Sequence, residues 1–345
     1  MNIKKLCILR LSAIGDVCHA AAMVERIIEH SPSIEITWII GKVEYQLLKG
    51  MPNVKFIIFD KSKGQEAVLA LRESLREEHF DALFLMQVAF RANWVSRVIN
   101  AKVKIGFDWA RSKELHWLFA NKRIAAQKHA HVLEGFMGFA DAIGMPKSSS
   151  INWNVPLTQD EEAMGCQLKT QFNKYVVISP AASKAERNWL PERYAAVADH
   201  AHNCGFTVVL CGGPAAIDKQ LGEQIQSSME NSCQNLIGKT SLKEMLGVLK
   251  HAELVIAPDT GPAHMATTVA TPVIGLYAHS NPKRTGPYND LAHVVSVYDE
   301  AIKEQTGKAW PELPWGKRAK GENLMARIEV GAVVKIFDKL LVEKV

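Results

Sequence analysis

The chain has no run of 18 apolar residues, so no membrane-spanning helix is expected. Its one stretch resembling a targeting segment is Met1-Asn-Ile-Lys-Lys5 followed by apolar Leu6–Leu11. Arg10 interrupts that run and no small-residue cleavage site follows, so the stretch reads as a first β-strand. None of the six cysteines (Cys7, Cys18, Cys166, Cys204, Cys211, Cys233) lies in a C-x-x-C pair, and no histidine cluster complements them into a zinc site. Scattered thiols suit a reducing cytosol, and no structural disulfide is expected. No G-x-G-x-x-G follows the first strand, which disfavours an NAD-dependent dehydrogenase. Ser12 and His19 lie close together, but no nucleophile-elbow motif or third orienting group makes them a nucleophile and its base. No Asp-x-Asp metal motif is present, and no basic stripe interleaved with aromatics suggests a nucleic-acid partner.

What is present describes two ordinary domains. A length of 345 residues fits two, and 48% hydrophobic against 22% charged residues lets each bury a core. Residues 1–155 hold 21 lysines and arginines against 15 acidic residues, whereas residues 156–345 hold 20 against 21. The excess positive charge therefore lies in the first half, which favours an anionic partner there.

Leu6–Leu11, Ile34–Ile40, Val54–Phe59, Ala82–Met86 and Val103–Phe107 read as buried strands. Helical segments Val17–Glu29, Val43–Leu48, Glu66–Glu78 and Arg91–Ile99 alternate with them. In the second half Tyr175–Ser179, Thr207–Leu210, Leu254–Ala257 and Val273–Tyr277 read as strands, and Glu192–His202, Ala216–Met229, Leu242–Leu249 and Ala263–Ala270 as helices. Nearly continuous apolar strands alternating with helices mean parallel sheets covered on both faces. The segment from Lys147 to Asn173 is polar and Ser-rich at its start and is read as the linker. Leu324 to Leu341 is amphipathic.

The densest chemical signal is Asp259-Thr-Gly-Pro-Ala-His-Met-Ala-Thr-Thr268, between the strand ending at Ala257 and the one reaching Tyr277. Asp259 and Thr260 offer capping oxygens, Gly261 permits close approach, and Pro262 suits the first helical turn. His264 follows one turn inside. A helix starting this way presents free N–H groups and a partial positive charge, which suits a diphosphate. Ser179-Pro-Ala-Ala-Ser-Lys-Ala-Glu-Arg-Asn-Trp189 follows another strand, and Ser183, Lys184 and Arg187 are suited to phosphate oxygens. A surface ion pair of Arg187 with Glu186 or Glu192 is the plainer alternative. Cys211-Gly-Gly-Pro214 and Ile237-Gly-Lys-Thr240 form two further turns after strands. Asp16 directly follows the first strand and opens the first helix, so its carboxylate projects into a crevice at a carboxyl strand end, unless it serves only as a helix cap.

Arg10-Leu-Ser-Ala-Ile-Gly-Asp16 and the Asp259 stretch together resemble the bacterial heptosyltransferases of glycosyltransferase family nine. Cys7 through His19 is most similar to the heptosyltransferase I (OpsX-like) branch. The likeness spans nearly the whole chain. It implies a GT-B fold, α/β, with two Rossmann-like domains facing across a cleft: an acceptor domain at 1–155, a nucleotide-sugar domain at 156–322, and a helix at 323–345 packing back towards the first domain. It implies transfer of heptose from ADP-heptose to the Kdo of lipid A-linked inner core, with Asp16 as general base and inversion at the anomeric carbon. Donor contacts would come from Ser183, Lys184, Arg187, Asp259, Thr260, Gly261 and His264, with adenine and ribose held near the two glycine turns. The family often carries two hydroxyl residues and a lysine where this chain has Ala182-Ser183 and Arg187, so the division of labour there is open. Ser12, Lys61, Lys63 and Arg111 would face the acceptor. No metal and no cofactor are expected, and the setting would be cytoplasmic, at the inner face of the inner membrane. Trp310-Pro-Glu-Leu-Pro-Trp-Gly-Lys-Arg-Ala-Lys320 reads as a capping loop with packed tryptophans, or as a membrane contact. A sugar-nucleotide epimerase of the same architecture, a heptose acceptor, and a binding module without catalysis are the alternatives.

Overall fold

The computed structural model describes residues 2–343. The described chain divides into two compact units, Met1–Pro156 and Leu157–Val345.

The first unit is built on β1 (Lys5–Leu9), β2 (Glu35–Gly41), β3 (Val54–Phe59), β4 (Phe80–Leu85), β5 (Ala101–Gly106) and β6 (Lys122–Arg123), with α1 (Ile14–His30), α2 (Lys42–Leu48), α3 (Gln65–Ser74), α4 (Phe90–Val95) and α5 (Val132–Ala142) between or after them. All strand pairs are parallel, in the order β3-β2-β1-β4-β5-β6. β1 is buried over four of its five residues, as a central strand covered on both faces must be.

The second unit holds α6 (Gln159–Phe172), β7 (Tyr175–Ile178), α7 (Pro191–Asn203), β8 (Thr207–Leu210), α8 (Ala216–Ser228), β9 (Gln234–Asn235), α9 (Leu242–His251), β10 (Val255–Pro258), α10 (Gly261–Thr268), β11 (Val273–Tyr277), α11 (Pro282–Thr285), β12 (Val294–Ser296), α12 (Tyr298–Thr306) and α13 (Val330–Glu343). Its parallel sheet runs β12-β11-β10-β7-β8-β9. Counted within its own unit, each sheet has the doubly wound order 3-2-1-4-5-6, so each reverses direction between its first and fourth strands.

Four helices, α5, α6, α11 and α12, are absent from the sequence reading, and two of them bear on packing. Part of the stretch taken as linker is α6. Thr158 caps it by accepting from Glu161 N, while Glu161 reaches back to Thr158 N at 3.0 Å, a capping box placed just before a weakly apolar helix. Its close packing on α9 depends on two glycines: a Cβ on Gly165 would lie 2.3 Å from Gly247 O. The other is α5, whose glycines at 135 and 138 lower helix propensity, and whose cap is a histidine, His131, accepting from Leu133 N.

α13 packs on α7, with Phe337 fully buried among second-unit apolar residues. In the 310–320 segment the two tryptophans lie against each other and against the unit. Trp310 and Trp315 rings lie 5.5 Å apart, Lys283 Nζ sits 4.7 Å over Trp310, and Ala319 N donates to His279 O.

Candidate active site

In a doubly wound sheet the ligand crevice opens where strand order reverses, outside the carboxyl ends of the strands. Both sites legible in the sequence lie at those points.

Between β1 and β4, Leu11 N donates to Gln87 Oε1 at 2.9 Å and Arg10 Nη1 to Met86 O at 2.5 Å. Arg10 Nη2 forms an ion pair with Asp16 Oδ2, and the guanidinium lies 5.3 Å over the Phe136 ring of α5. Asp16 also accepts from Ala13 N at 3.2 Å. The capping alternative for Asp16 is thus present in the structure. The Asp16 side chain keeps 33% of its surface exposed, against 11% for Arg10. A carboxylate oriented by two donors and still open on one flank can take a proton from a neighbouring hydroxyl. Ser12 Oγ, in the loop after β1, lies 3.5 Å from Gln87 Nε2 in the loop after β4. His19 is buried edge-on against His131, a structural position.

The other acceptor candidates stand further off. Lys61 and Lys63 occupy a single 3-10 turn after edge strand β3, capped by Asp60. Two strand spacings, roughly 10 Å, separate that edge from β1. Arg111 is largely committed to the protein: Nη2 donates to Gln127 Oε1 at 2.9 Å, and Nε lies 3.6 Å from Asp108 Oδ2. A Cβ on Gly135 would come within 2.4 Å of its Nη1, so the glycine in α5 makes room for this guanidinium. Burial lowers the Arg111 pKa despite Asp108 and Glu134.

Between β7 and β10, the loop after β7 meets the start of α10. Arg187 Nη1 donates to Asp259 O at 3.0 Å and lies 3.4 Å from Asp259 Oδ2, while Nη2 donates to Ser183 Oγ at 2.8 Å. Arg187 pairs with Asp259, and neither Glu186 nor Glu192 takes that place. Ser280 Oγ donates to Asp259 Oδ2 at 2.6 Å, and His264 Nε2 lies 3.9 Å from Oδ1. Burial alone would push the Asp259 carboxyl up; hydrogen bonds from His264 and Ser280 and the charges of His264 and Arg187 outweigh it and hold it below the usual range.

Expected capping by Asp259 and Thr260 is corrected here. Thr260 is the N-cap, but its hydroxyl donates to Ala181 O at 3.2 Å and makes no cap bond. The Asp259 carboxylate is spent on Arg187, Ser280 and His264. α10 therefore begins without a side-chain cap, and its first-turn N–H groups remain available to an anion. Arg187 Nε, buried with no hydrogen-bond partner, adds a further unspent donor. Lys184 is 60% exposed, 3.9 Å from Glu186. Nearby, Gly238 N donates to Gly212 O at 3.1 Å, joining the two glycine turns, and Asp218 accepts from Gly213 N at 2.8 Å.

The model of glycosyltransferase family 9 (heptosyltransferase) matches residues 68–315. The chain belongs to this family. It is 48% identical to the lipopolysaccharide core heptosyltransferase OpsX of Haemophilus influenzae, over 98% of this chain and 97% of that one. Among solved structures, a family 9 glycosyltransferase from Veillonella parvula matches with a TM-score of 0.79 and 22% identity, over 99% of this chain and 97% of that chain. E. coli heptosyltransferase WaaC with ADP matches with 0.76 and 20%, over 97% of this chain and 99% of that chain. The fold is GT-B, and this family 9 enzyme is a glycosyltransferase, which decides against the epimerase and the inert binding module.

Several residues that surround the candidate site are absent from the sequence reading of it. Arg10 interrupts an apolar strand and opens the Arg10–Asp16 motif, but nothing in the sequence pairs it with Asp16. Ser280 and Gln87 lie in loops without a motif. Helical folding also assembles what linear spacing hid, a histidine and an acid beside each of two cysteines. Glu162, Cys166 and His251 on α6 and α9, and His200, Cys204 and Asp338 on α7 and α13, each bring their ligand atoms within 4.8 Å of one another. In each group a carboxylate oxygen already lies 2.7 Å from the histidine Nε2. All six cysteines are free thiols.

Proposed function

We propose that the enzyme transfers heptose from ADP-L-glycero-D-manno-heptose to the Kdo of lipid A-linked inner core, at the cytoplasmic face of the inner membrane. The observation that carries the donor half is the uncapped N-terminus of α10 beside Arg187. The diphosphate accepts hydrogen bonds from the N–H groups around Thr260-Gly261, and Ser183, Lys184 and Arg187 offset the charge that grows on it as ADP leaves. Asp259 and His264 hold Arg187 and the loop in place. The relatives, a lipopolysaccharide core heptosyltransferase and a heptosyltransferase solved with ADP, support this donor and this pathway.

On the acceptor side an alcohol oxygen attacks the anomeric carbon as the bond from that carbon to the diphosphate oxygen breaks. The hydroxyl proton passes to Asp16, a step for which general-base help is worth about 10²–10⁴-fold. Attack opposite the leaving group inverts the configuration. Arg10 orients the base. Ser12, beside Gln87, and the basic turn Lys61–Lys63 bind the anionic acceptor. Arg111 contributes by ordering the 107–113 loop.

The test is ADP release from ADP-heptose with and without Kdo-lipid A, for wild type and Asp16→Ala. Acceptor-dependent release that collapses in the variant is expected. Release only with a heptose-bearing acceptor would replace Kdo in this reading, and release that survives the substitution would remove Asp16 as base.

A further inference from the structure

Outside both switch points, the first unit exposes a band of large apolar side chains. Phe90 is 47% exposed, Trp94 49%, Trp109 64%, Leu115 50%, Trp117 43% and Leu118 59%. Ring contacts gather the aromatics into two groups, which the 116–119 turn joins along the chain. Trp94 stacks on Phe90 at 6.3 Å, Phe90 meets Phe119 at 6.3 Å, and Trp117, two residues away on the same turn, meets Trp109 at 6.1 Å. Patches of this kind on a protein surface mark interaction sites.

A rigid frame underneath holds the band outward. His116 is fully buried; Phe107 N donates to its Nε2 at 3.1 Å, so Nδ1 carries the proton donated to Asn93 Oδ1 at 2.8 Å. Asn93 Nδ2 in turn donates to Val88 O and Glu114 O. α4 and the 107–119 loop are thereby locked side by side at the carboxyl ends of β4 and β5. Their outward aromatics are presented by a fixed scaffold.

The charge around the band is predominantly positive. Residues 88–123 contain eight lysines and arginines and two acids. Asp108 is buried beside Arg111, which leaves Glu114, exposed and accepting from Phe90 N at 2.5 Å, as the single acid at the surface of this stretch. Arg97 lies 4.6 Å over Trp94 and Arg123 4.0 Å over Trp109, while Arg91 and Lys113 are exposed at the rim. Tryptophans flanked by arginines combine an apolar body with a cationic edge, the chemistry of a membrane–water interface. Basic residues beside them match an anionic lipid surface.

We propose that this face of the first unit docks on an anionic phospholipid bilayer, with Trp94, Trp109 and Trp117 entering the headgroup layer and Arg91, Arg97 and Lys113 meeting lipid phosphates. Docking here deepens the proposed function, and its biological sense rests on that reading, because a lipid-linked acceptor is presented at such a surface. The Trp310–Lys320 segment is packed on its own unit and is not the docking element.

The experiment is co-sedimentation of the full chain with vesicles of phosphatidylethanolamine and phosphatidylglycerol, against phosphatidylcholine alone, without donor or acceptor. Binding to the anionic vesicles is expected, weaker by roughly tenfold for Trp94→Ala/Trp117→Ala and for Arg91→Gln/Arg97→Gln. Quenching of tryptophan fluorescence by brominated lipid should fall in the first variant. ADP release with a detergent-dispersed acceptor should be unchanged in both, which verifies folding and separates failure of docking from failure of the reaction. Equal binding to both vesicle types, or no loss in either variant, overturns the proposal. So does a wild-type dimer that the tryptophan variant dissociates, since the band would then cover a second copy.

Discussion

Each unit sets an arginine against an aspartate at its switch point, and the two pairs differ in what is left over. In the first unit Arg10 issues from the strand and Asp16 from the following helix; the arginine is 11% exposed and the acid 33%. In the second, Arg187 and Asp259 are both 13% exposed, and Asp259 also carries Ser280 and sits near His264. The same charge pair leaves an accessible carboxylate at one point and a nearly sealed one at the other. The first suits proton transfer. The second suits holding a cation beside a helix N-terminus that needs an anion. Winding order places both pairs, and burial assigns their tasks.

Matched carboxylate-to-carboxamide substitutions should separate these roles. Asp259→Asn leaves the Arg187 charge without its partner and should cost about 3 kcal/mol of stability, read from denaturant midpoints, with weakened ADP binding. Asp16→Asn should keep the wild-type midpoint and ADP affinity while kcat falls by about 10²–10⁴-fold. Equal stability losses at both positions would show that the two pairs do the same work.

Acid should also divide the units. The His116 imidazole is pushed down to about 4, chiefly by burial and then by Arg123. A depressed histidine pKa gives stability that is present above the unfolded value of about 6.5 and is lost as pH falls towards 4, up to about 3 kcal/mol. The depressed Asp259 carboxyl keeps its contribution until pH falls below about 3.9, the unfolded value. Hydrogen exchange measured at pH 7 and pH 4.5 should therefore lose protection around Phe107 and Asn93 before it does around Asp259. The smallest expected effect is Gly135→Ala, where the new Cβ collides with Arg111 and should cost about 1–3 kcal/mol, seen as a lowered Tm.

Much of the scaffold was legible because central parallel strands are apolar on both faces. Thr207–Leu210 and Val273–Tyr277, each paired on both sides, match the observed strands residue for residue, and so does the six-residue apolar edge strand Val54–Phe59. The short edge strands at Lys122–Arg123, Gln234–Asn235 and Val294–Ser296 carry too few residues for any periodicity. α5 was hidden by glycines that its packing requires, and α6 by an apolar face reduced to Gly165 and Leu168. At the sites, Asp16, Ser183, Arg187 and Asp259 could be picked out by their positions after strands. Their partners could not, because Arg187 reaches Asp259 across 72 residues and Arg10 reaches Met86 across 76. Side-chain spacing on one helix is readable in a sequence; contact between adjacent loops of a sheet depends on strand order.

His116 has one further consequence, for tolerance to change. It accepts from Phe107 with one ring nitrogen and donates to Asn93 with the other, in a space where Gly106 leaves no room for a methyl group. No other natural side chain offers that acceptor and that donor at opposite edges of a small flat ring. Selection from a saturation library at 116 should return histidine almost alone, whereas Trp109 and Trp117, with their rings in solvent, should exchange readily for other aromatics.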